Sequence, residues 1–104
     1  SSATGFDCSG LVAHVYEEAE GIRLPPTVIA QSETGIAVSA RELEPGDLVF
    51  YNTLGQPYSH VGIYLGEGKF VHAPKTGSTV RVENAASTYW TKRFSGARRI
   101  EVRL

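Results

Sequence analysis

The sequence predicts an α+β domain in which N-terminal helices pack on a mostly antiparallel β-sheet. Helical spacing of apolar residues is confined to the first part of the chain, whereas short segments typical of strands, joined by tight turns, fill the rest. The chain has 104 residues, of which 41% are hydrophobic and 20% are charged, as in an ordinary soluble globular domain. We therefore expect a single domain over residues 1–104, with further residues upstream of its loop-like opening.

The bulk composition excludes several classes of function. The formal net charge is −1 and the pI is near 6.3, so charge gives no sign of a nucleic-acid or membrane partner. No apolar run approaches the ~20 residues that span a bilayer. The single cysteine, Cys8, rules out an internal disulfide framework. We expect a monomer with no nucleic-acid partner and no transmembrane segment in this chain.

The first predicted helix covers residues 8–20. Asp7 is a good N-cap, and Gly21 is expected to end the helix. The apolar residues that recur at helical spacing are Leu11, Val12, Val15, Tyr16 and Ala19. After a proline-rich connector over 24–26, Thr27 is expected to cap a short second helix that ends near Gly35.

Strands dominate the rest of the chain. A turn over 44–47, with Pro45 and Gly46 at its central positions, precedes the first of them. The predicted strands are 48–51, 58–65, 69–73, 79–82 and 96–104, and a short helix is predicted over 86–92. Their short connections favour antiparallel neighbours.

Cys8 lies in the first turn of the predicted helix. Free N–H groups and the helix dipole there stabilise a thiolate and lower its pKa, so an iodoacetamide-type alkylator should modify Cys8 quickly near neutral pH. Cys8 shares a helix face with Leu11 and Val15, which should dock on the sheet. A small buried cysteine is the alternative, since most cysteines are buried. Position alone does not decide between the two.

Two histidines are predicted to share one face of a hairpin. A three-residue loop over 66–68 gives a register in which His72 faces Gly62 and is the diagonal neighbour of His60. The same register places Leu65 opposite Lys69 and collects the apolar residues Val61, Ile63, Val71 and Ala73 on the other face. Gly62 is expected to leave open space between the imidazoles. Valine at position 62 should therefore leave the fold intact and block the site.

These residues suit a Cys–His nucleophile pair with an orienting third group. An open zinc site with one cysteine and two histidines is a second interpretation, although the usual zinc-ligand spacings are absent. Unrelated structural roles for Cys8, His60 and His72 are the third. His14 lies too far along and around the helix from Cys8 to join the site, and is expected to be exposed.

The motifs around these residues resemble those of the NlpC-type cell-wall cysteine peptidases. They are Gly5-Phe6-Asp7-Cys8-Ser9-Gly10-Leu11-Val12, Gly46-Asp47-Leu48-Val49, His60-Val61-Gly62-Ile63-Tyr64-Leu65-Gly66, Phe70-Val71-His72-Ala73, and Tyr89-Trp90 followed by Ala97-Arg98-Arg99. The resemblance covers nearly the whole chain in the family's order. It implies a papain-like fold, often found as the C-terminal part of a longer chain.

The resemblance also implies a chemistry. Cys8 would be the nucleophile, His60 the general base or imidazolium partner, and His72 the group that orients His60. The substrate would be a peptidoglycan stem peptide cut between D-glutamate and diaminopimelate or lysine, outside the cytoplasm of a bacterium and without a cofactor. Asp7, Ser9 and Gly62 are the candidate substrate contacts. A catalytically silent wall-binding module and a toxin or phage-type lysin are the alternatives.

Overall fold

The structure is a computed structural model that describes residues 7–74 and 79–101. The helices of these residues are α1 (Cys8–Glu20), α2 (Val28–Gln31) and α3 (Thr88–Arg93), with a 3₁₀ turn at Ala40–Glu42. The strands are β1 (Ile36–Val38), β2 (Leu48–Tyr51), β3 (His60–Gly66), β4 (Lys69–His72), β5 (Arg81–Asn84) and β6 (Phe94–Arg99). The strands form one sheet in the order β1-β6-β2-β3-β4-β5, and every neighbouring pair is antiparallel. The predicted α+β class is confirmed.

The caps of α1 follow the sequence prediction. The Asp7 carboxylate accepts a hydrogen bond from the Gly10 N–H at 2.6 Å. Gly21 adopts the left-handed conformation with φ of 68°, and backbone N–H groups there bond back to the Tyr16 and Glu17 carbonyls. The bounds of α1 are confirmed, and its start places Cys8 in the first turn.

The sheet buries apolar side chains on both faces. One face packs against α1, and its cluster consists of Val12, Tyr16, Leu24, Leu48, Phe50, Val61, Ile63 and Ile100. The opposite face packs against α3, and its cluster consists of Val49, Tyr51, Phe70, Trp90 and Ala97. Because side chains alternate along a strand, β3 sends Val61 and Ile63 toward α1 and His60 toward α3.

The hairpin of β3 and β4 keeps the predicted register at the end away from its turn, where His60 and His72 lie. Ile63 faces Val71, as predicted. Nearer the turn the prediction is wrong, because Gly66 and not Leu65 faces Lys69. The turn contains two residues, Glu67 and Gly68, both with positive φ, and the extra residue forms a bulge in β3.

Other boundaries differ from the prediction for local reasons. Helix α2 ends at Gln31, well before Gly35. Strand β3 starts at His60 because Tyr58 has a positive φ of 57°, which an extended strand does not accommodate. Strand β5 begins two residues later than predicted, and β6 begins two residues earlier. The predicted strand residues 102–104 lie outside the described residues.

Strand β1 and the 3₁₀ turn were not predicted. Both have three residues, too few to show a hydrophobic period. Strand β1 is largely exposed and depends on backbone pairing with β6, in which Ile36 faces Arg99. Such an edge strand carries almost no sequence signal.

The expected open space at Gly62 is absent. A Cβ atom at this position would lie 2.8 Å from the Val71 backbone oxygen and 2.8 Å from a ring carbon of Phe70. The expectation that valine at position 62 leaves the fold intact is therefore wrong. Glycine is required here because the neighbouring strand and ring occupy the room that a side chain needs.

We expect Gly62→Val to unfold the protein more readily, with a loss of about 1–3 kcal/mol or more in the free energy of unfolding from overpacking. Thermal unfolding measures it. Ala37→Val on exposed β1 is the matched control, because it also adds a branched side chain to a strand and should change stability by less than about 0.5 kcal/mol. Equal melting temperatures for Gly62→Val and the unmutated chain would contradict the close packing at position 62.

Candidate active site

Cys8 and His60 line one cavity although they approach it from opposite faces of the sheet. Helix α1 packs on the face that contains Val61, whereas His60 points to the face that contains Trp90. The cavity of about 240 Å³ is lined by Asp7, Cys8, Thr53, Leu54, Ser59, His60, Ala73 and Pro74. His60 is the first residue of β3, so the cysteine reaches it around the end of the strand.

A backbone N–H group of β3 also influences the cysteine sulfur. The Tyr64 N–H donates to the Asp47 carbonyl on the β2 side, so alternation along β3 turns the Val61 N–H toward the β4 side. Strand β4 ends at His72, and the Val61 N–H acts to lower the pKa of the Cys8 thiol.

Burial governs the protonation of Cys8. It raises the pKa of the thiol above its ordinary value of 9.0, and the nearby Asp7 carboxylate acts in the same direction. The backbone N–H groups of Val61, Ser9 and Cys8 act to lower the pKa but do not overcome burial. The expected lowering of the Cys8 pKa at the helix start is therefore wrong for the resting site. The thiol is neutral at pH 7.

His60 and His72 form the pair that the register predicts. His60 Nε2 lies 2.6 Å from His72 Nδ1, and their rings meet edge to face. The two residues are 4% and 1% exposed, so water does not compete for this hydrogen bond. Burial, with a contribution from His72, lowers the pKa of His60 from 6.5 to about 4. His60 is therefore a neutral imidazole at pH 7.

The sequence did not predict the contacts of this pair with two neighbouring side chains. Trp90 of α3 packs against both imidazoles, with ring centroids 6.1 Å from His60 and 5.3 Å from His72. Glu83 Oε2 lies 3.0 Å from His72 Nε2. Glu83 fell outside the strand predicted over 79–82. Correct bounds for β5 would have placed it on the face of His72, since Arg81 faces His72 and Glu83 follows two residues later.

A buried glutamine fixes the start of α1. Gln31 Nε2 donates to the Ser9 carbonyl at 3.0 Å and to the Pro25 carbonyl at 2.8 Å. Gln31 is fully buried, so α2 and the proline-rich connector hold the residue next to Cys8 in place. A lone glutamine at the end of a short helix gave no sequence signal for this role.

The three candidate substrate contacts are placed differently. Asp7 is exposed and lines the cavity of Cys8, where it also caps α1. Ser9 and Gly62 are buried and do not line that cavity, so their contact with substrate stays a prediction that the structure does not support. His14 is exposed on α1.

The residues described between 7 and 101 show no group of three His, Cys, Asp or Glu side chains placed to hold a metal ion. In the same part of the chain, no helix has the length and apolarity needed to cross a membrane.

The sequence is similar to two murein endopeptidases and to a glutamyl hydrolase. The family model described as NlpC/P60 matches residues 1–99. The chain is 40% identical over 103 residues to murein DD-endopeptidase MepH of Escherichia coli K12, covering 96% of this chain and 38% of that protein. It is 42% identical over 100 residues to murein DD-endopeptidase MepS/murein LD-carboxypeptidase of the same strain, covering 96% and 52%. It is 39% identical over 98 residues to gamma-DL-glutamyl hydrolase of Bacillus subtilis, covering 93% and 24%. The chain thus spans about half or less of the length of these relatives.

Solved structures share the fold. A lipoprotein-like NLP/P60 protein of Staphylococcus aureus superposes with a TM-score of 0.82 at 38% identity, covering 96% of this chain and 34% of that one. RipD of Mycobacterium tuberculosis, described as a non-catalytic NlpC/p60 domain protein adapted to peptidoglycan binding, superposes with a TM-score of 0.73 at 27% identity, covering 93% and 68%. These likenesses confirm the papain-like α+β fold. The chain belongs to the NlpC/P60 family.

Proposed function

We propose that this domain is a cysteine peptidase that hydrolyses an amide bond in peptidoglycan stem peptides. The observation that carries the proposal is the hydrogen bond of 2.6 Å between His60 and His72, with His60 in the same cavity as Cys8. A nucleophile, a base and a group that orients the base are the parts that acyl transfer needs. The murein endopeptidases at 40% and 42% identity support this substrate class.

Acylation begins from a neutral thiol and a neutral imidazole. His60 Nε2 faces His72, so Nδ1 is the ring nitrogen left to take the proton of Cys8 as the sulfur attacks the carbonyl carbon. The negative charge then moves to the carbonyl oxygen. The backbone N–H groups of Cys8 and Ser9, at the start of α1, are the donors proposed to stabilise it.

The remaining steps return the enzyme to its starting state. The His60 imidazolium gives its proton to the leaving amine, which departs as the carbon–nitrogen bond breaks and leaves a thioester on Cys8. His60 then takes a proton from water, whose oxygen attacks the thioester. The carbon–sulfur bond breaks, the carboxyl product leaves, and His60 returns its proton to the sulfur of Cys8. Both steps use the same nitrogen of His60, so the imidazole must be neutral again before it takes the proton of water.

The substrate lies across two cavities that meet at His60. The cavity of Cys8 and a second one of about 440 Å³ both include Thr53, His60 and Pro74. Glu83, Ser87, Tyr89 and Trp90 line the far side of the second cavity. A peptide that runs from one cavity to the other would pass its scissile bond between the thiol and the imidazole.

The family resemblance favours the bond between D-glutamate and diaminopimelate or lysine. Gamma-DL-glutamyl hydrolase, at 39% identity, supports a D-glutamyl bond, whereas the names of MepH and MepS point to a bond in a DD-peptide. The relatives named as murein hydrolases also support action in the bacterial cell envelope.

Cys8→Ala should abolish the release of peptide fragments from purified peptidoglycan and leave the fold intact, since alanine fits a helix start. Mass spectrometry of the digest measures the products and identifies the bond. A cut at the D-glutamyl bond leaves a fragment that ends in D-glutamate, whereas a cut in a cross-link turns dimers into monomers. His60→Ala should behave like Cys8→Ala, and His14→Ala on the exposed side of α1 is its matched control.

Binding of peptidoglycan without release of fragments by the unmutated chain would contradict the proposal. It would favour a silent binding module, as described for RipD. Fragment release that survives Cys8→Ala would exclude the nucleophile proposed here.

Alkylation of Cys8 tests the resting protonation state. We expect the rate with iodoacetamide to be slow at pH 7 and to rise with a midpoint above pH 9, because burial raises the pKa of the thiol. Free cysteine measured over the same range is the control. A rate already at its plateau near pH 6 would show a thiolate–imidazolium pair and contradict the neutral resting state.

A further inference from the structure

We propose that Glu83 is a positioning residue that fixes the direction of the hydrogen bonds through His72 to His60, so that a lone pair on His60 Nδ1 faces the thiol. The proposal rests on the proposed function, in which His60 Nδ1 accepts the proton of Cys8. It is carried by three side chains in a row: Glu83 Oε2 lies 3.0 Å from His72 Nε2, and His72 Nδ1 lies 2.6 Å from His60 Nε2.

The direction follows from what each group is able to donate. An ionised carboxylate only accepts hydrogen bonds, so the proton between Glu83 and His72 sits on His72 Nε2. A neutral imidazole carries one N–H, which leaves His72 Nδ1 as an acceptor. The proton between the rings therefore belongs to His60 Nε2. His60 Nδ1 is left with a lone pair.

Without the carboxylate, the opposite arrangement has the same heavy-atom positions. His72 Nδ1–H would donate to His60 Nε2, and the proton of His60 would move to Nδ1. His60 would then present a donor to Cys8 and would be unable to take its proton. The hydrogen bond between the rings alone does not choose between these two tautomers.

Burial makes this choice depend on Glu83. His72 is 1% exposed, so solvent does not supply another acceptor for Nε2 while Glu83 is present. The Glu83 side chain is 24% exposed in the second cavity, which keeps its carboxylate partly hydrated. The carboxylate thus contacts both solvent and a buried ring.

Among the residues that the structure describes, three charged or titratable groups face His72. His60 lies on β3, Glu83 and Arg81 lie on β5, and α3 contributes the uncharged Trp90. Burial lowers the pKa of His72, Glu83 acts to raise it, and Arg81 acts to lower it. Arg81 Nε also lies 3.8 Å from Glu83 Oε2, so it competes with His72 for the same oxygen. Glu83 and Arg81 therefore have opposite effects on His72.

Nitrogen-15 NMR of the histidine rings in the whole chain at pH 7 tests the proposal without a substrate. In the unmutated chain we expect both rings to carry the proton on Nε2. Glu83→Leu removes the acceptor but keeps a bulky side chain, and should give a mixture of tautomers in both rings. Glu83→Gln retains an oxygen acceptor and should restore much of the Nε2–H form. Glu67→Gln, in the exposed turn between β3 and β4, is the control and should change neither ring.

If Glu83→Leu folds poorly, a titration of His72 by the same method in two other variants tests the proposal. Glu83→Gln should lower the pH at which His72 titrates, whereas Arg81→Gln should raise it. Shifts in the same direction, or an Nε2–H tautomer that persists unchanged in Glu83→Leu, would overturn the proposal.

Hydrolysis supplies the second readout. Loss of a hydrogen bond to a charged group should reduce kcat of Glu83→Leu by about ten- to a hundredfold, with KM little changed. An equal kcat in the mutated and unmutated chains would overturn the proposal. If the unmutated chain hydrolyses nothing, the proposed function fails, whereas the ring tautomers still decide the role of Glu83.

Discussion

The register between β3 and β4 is the constraint on which the site depends. Ile63 faces Val71 in this register, and the same alignment brings His60 and His72 to one face of the sheet. A slip by one residue would move the imidazole of His72 to the face that packs against α1. The register is enforced by packing, because the apolar residues of β3 must reach α1 and because Gly62 admits the ring of Phe70 and the backbone of Val71. The same strand register is thus required both for packing of the core and for the geometry of the site.

Burial keeps the site residues neutral in the resting protein. The two imidazoles and the thiol lie where charge is costly, so the resting groups are neutral and the charges appear only during reaction. The partners that stabilise those charges are already in place. The backbone N–H groups of Cys8, Ser9 and Val61 act to lower the pKa of the thiol, and the Glu83 carboxylate lies 3.0 Å from His72 Nε2. Such preorganisation avoids the reorganisation that water would need at each step.

Sequence patterns predict the structure correctly where one local rule decides it. Asp7 and Gly21 marked the ends of α1, and alternation along the hairpin paired His60 with His72. Sequence patterns fail where contacts between residues distant in sequence determine the structure. Residues of β4 occupy the space beside Gly62, and Gln31 of α2 holds the start of α1. The pKa of Cys8 depends on its burial, which the spacing of residues in the sequence does not show. The role of Glu83 was not predicted, because the predicted bounds of the short, exposed strand β5 were wrong by two residues.

The pH dependence of kcat/KM tests most directly the claim that a neutral, buried imidazole takes the proton of a neutral thiol. His60 accepts a proton only in its neutral form, and burial lowers its pKa to about 4. The account therefore predicts that kcat/KM rises with a midpoint near pH 4 and holds its plateau until Cys8 ionises above pH 9. A rising limb centred near pH 6.5 or higher would contradict it, because His60 would then titrate like a solvent-exposed histidine.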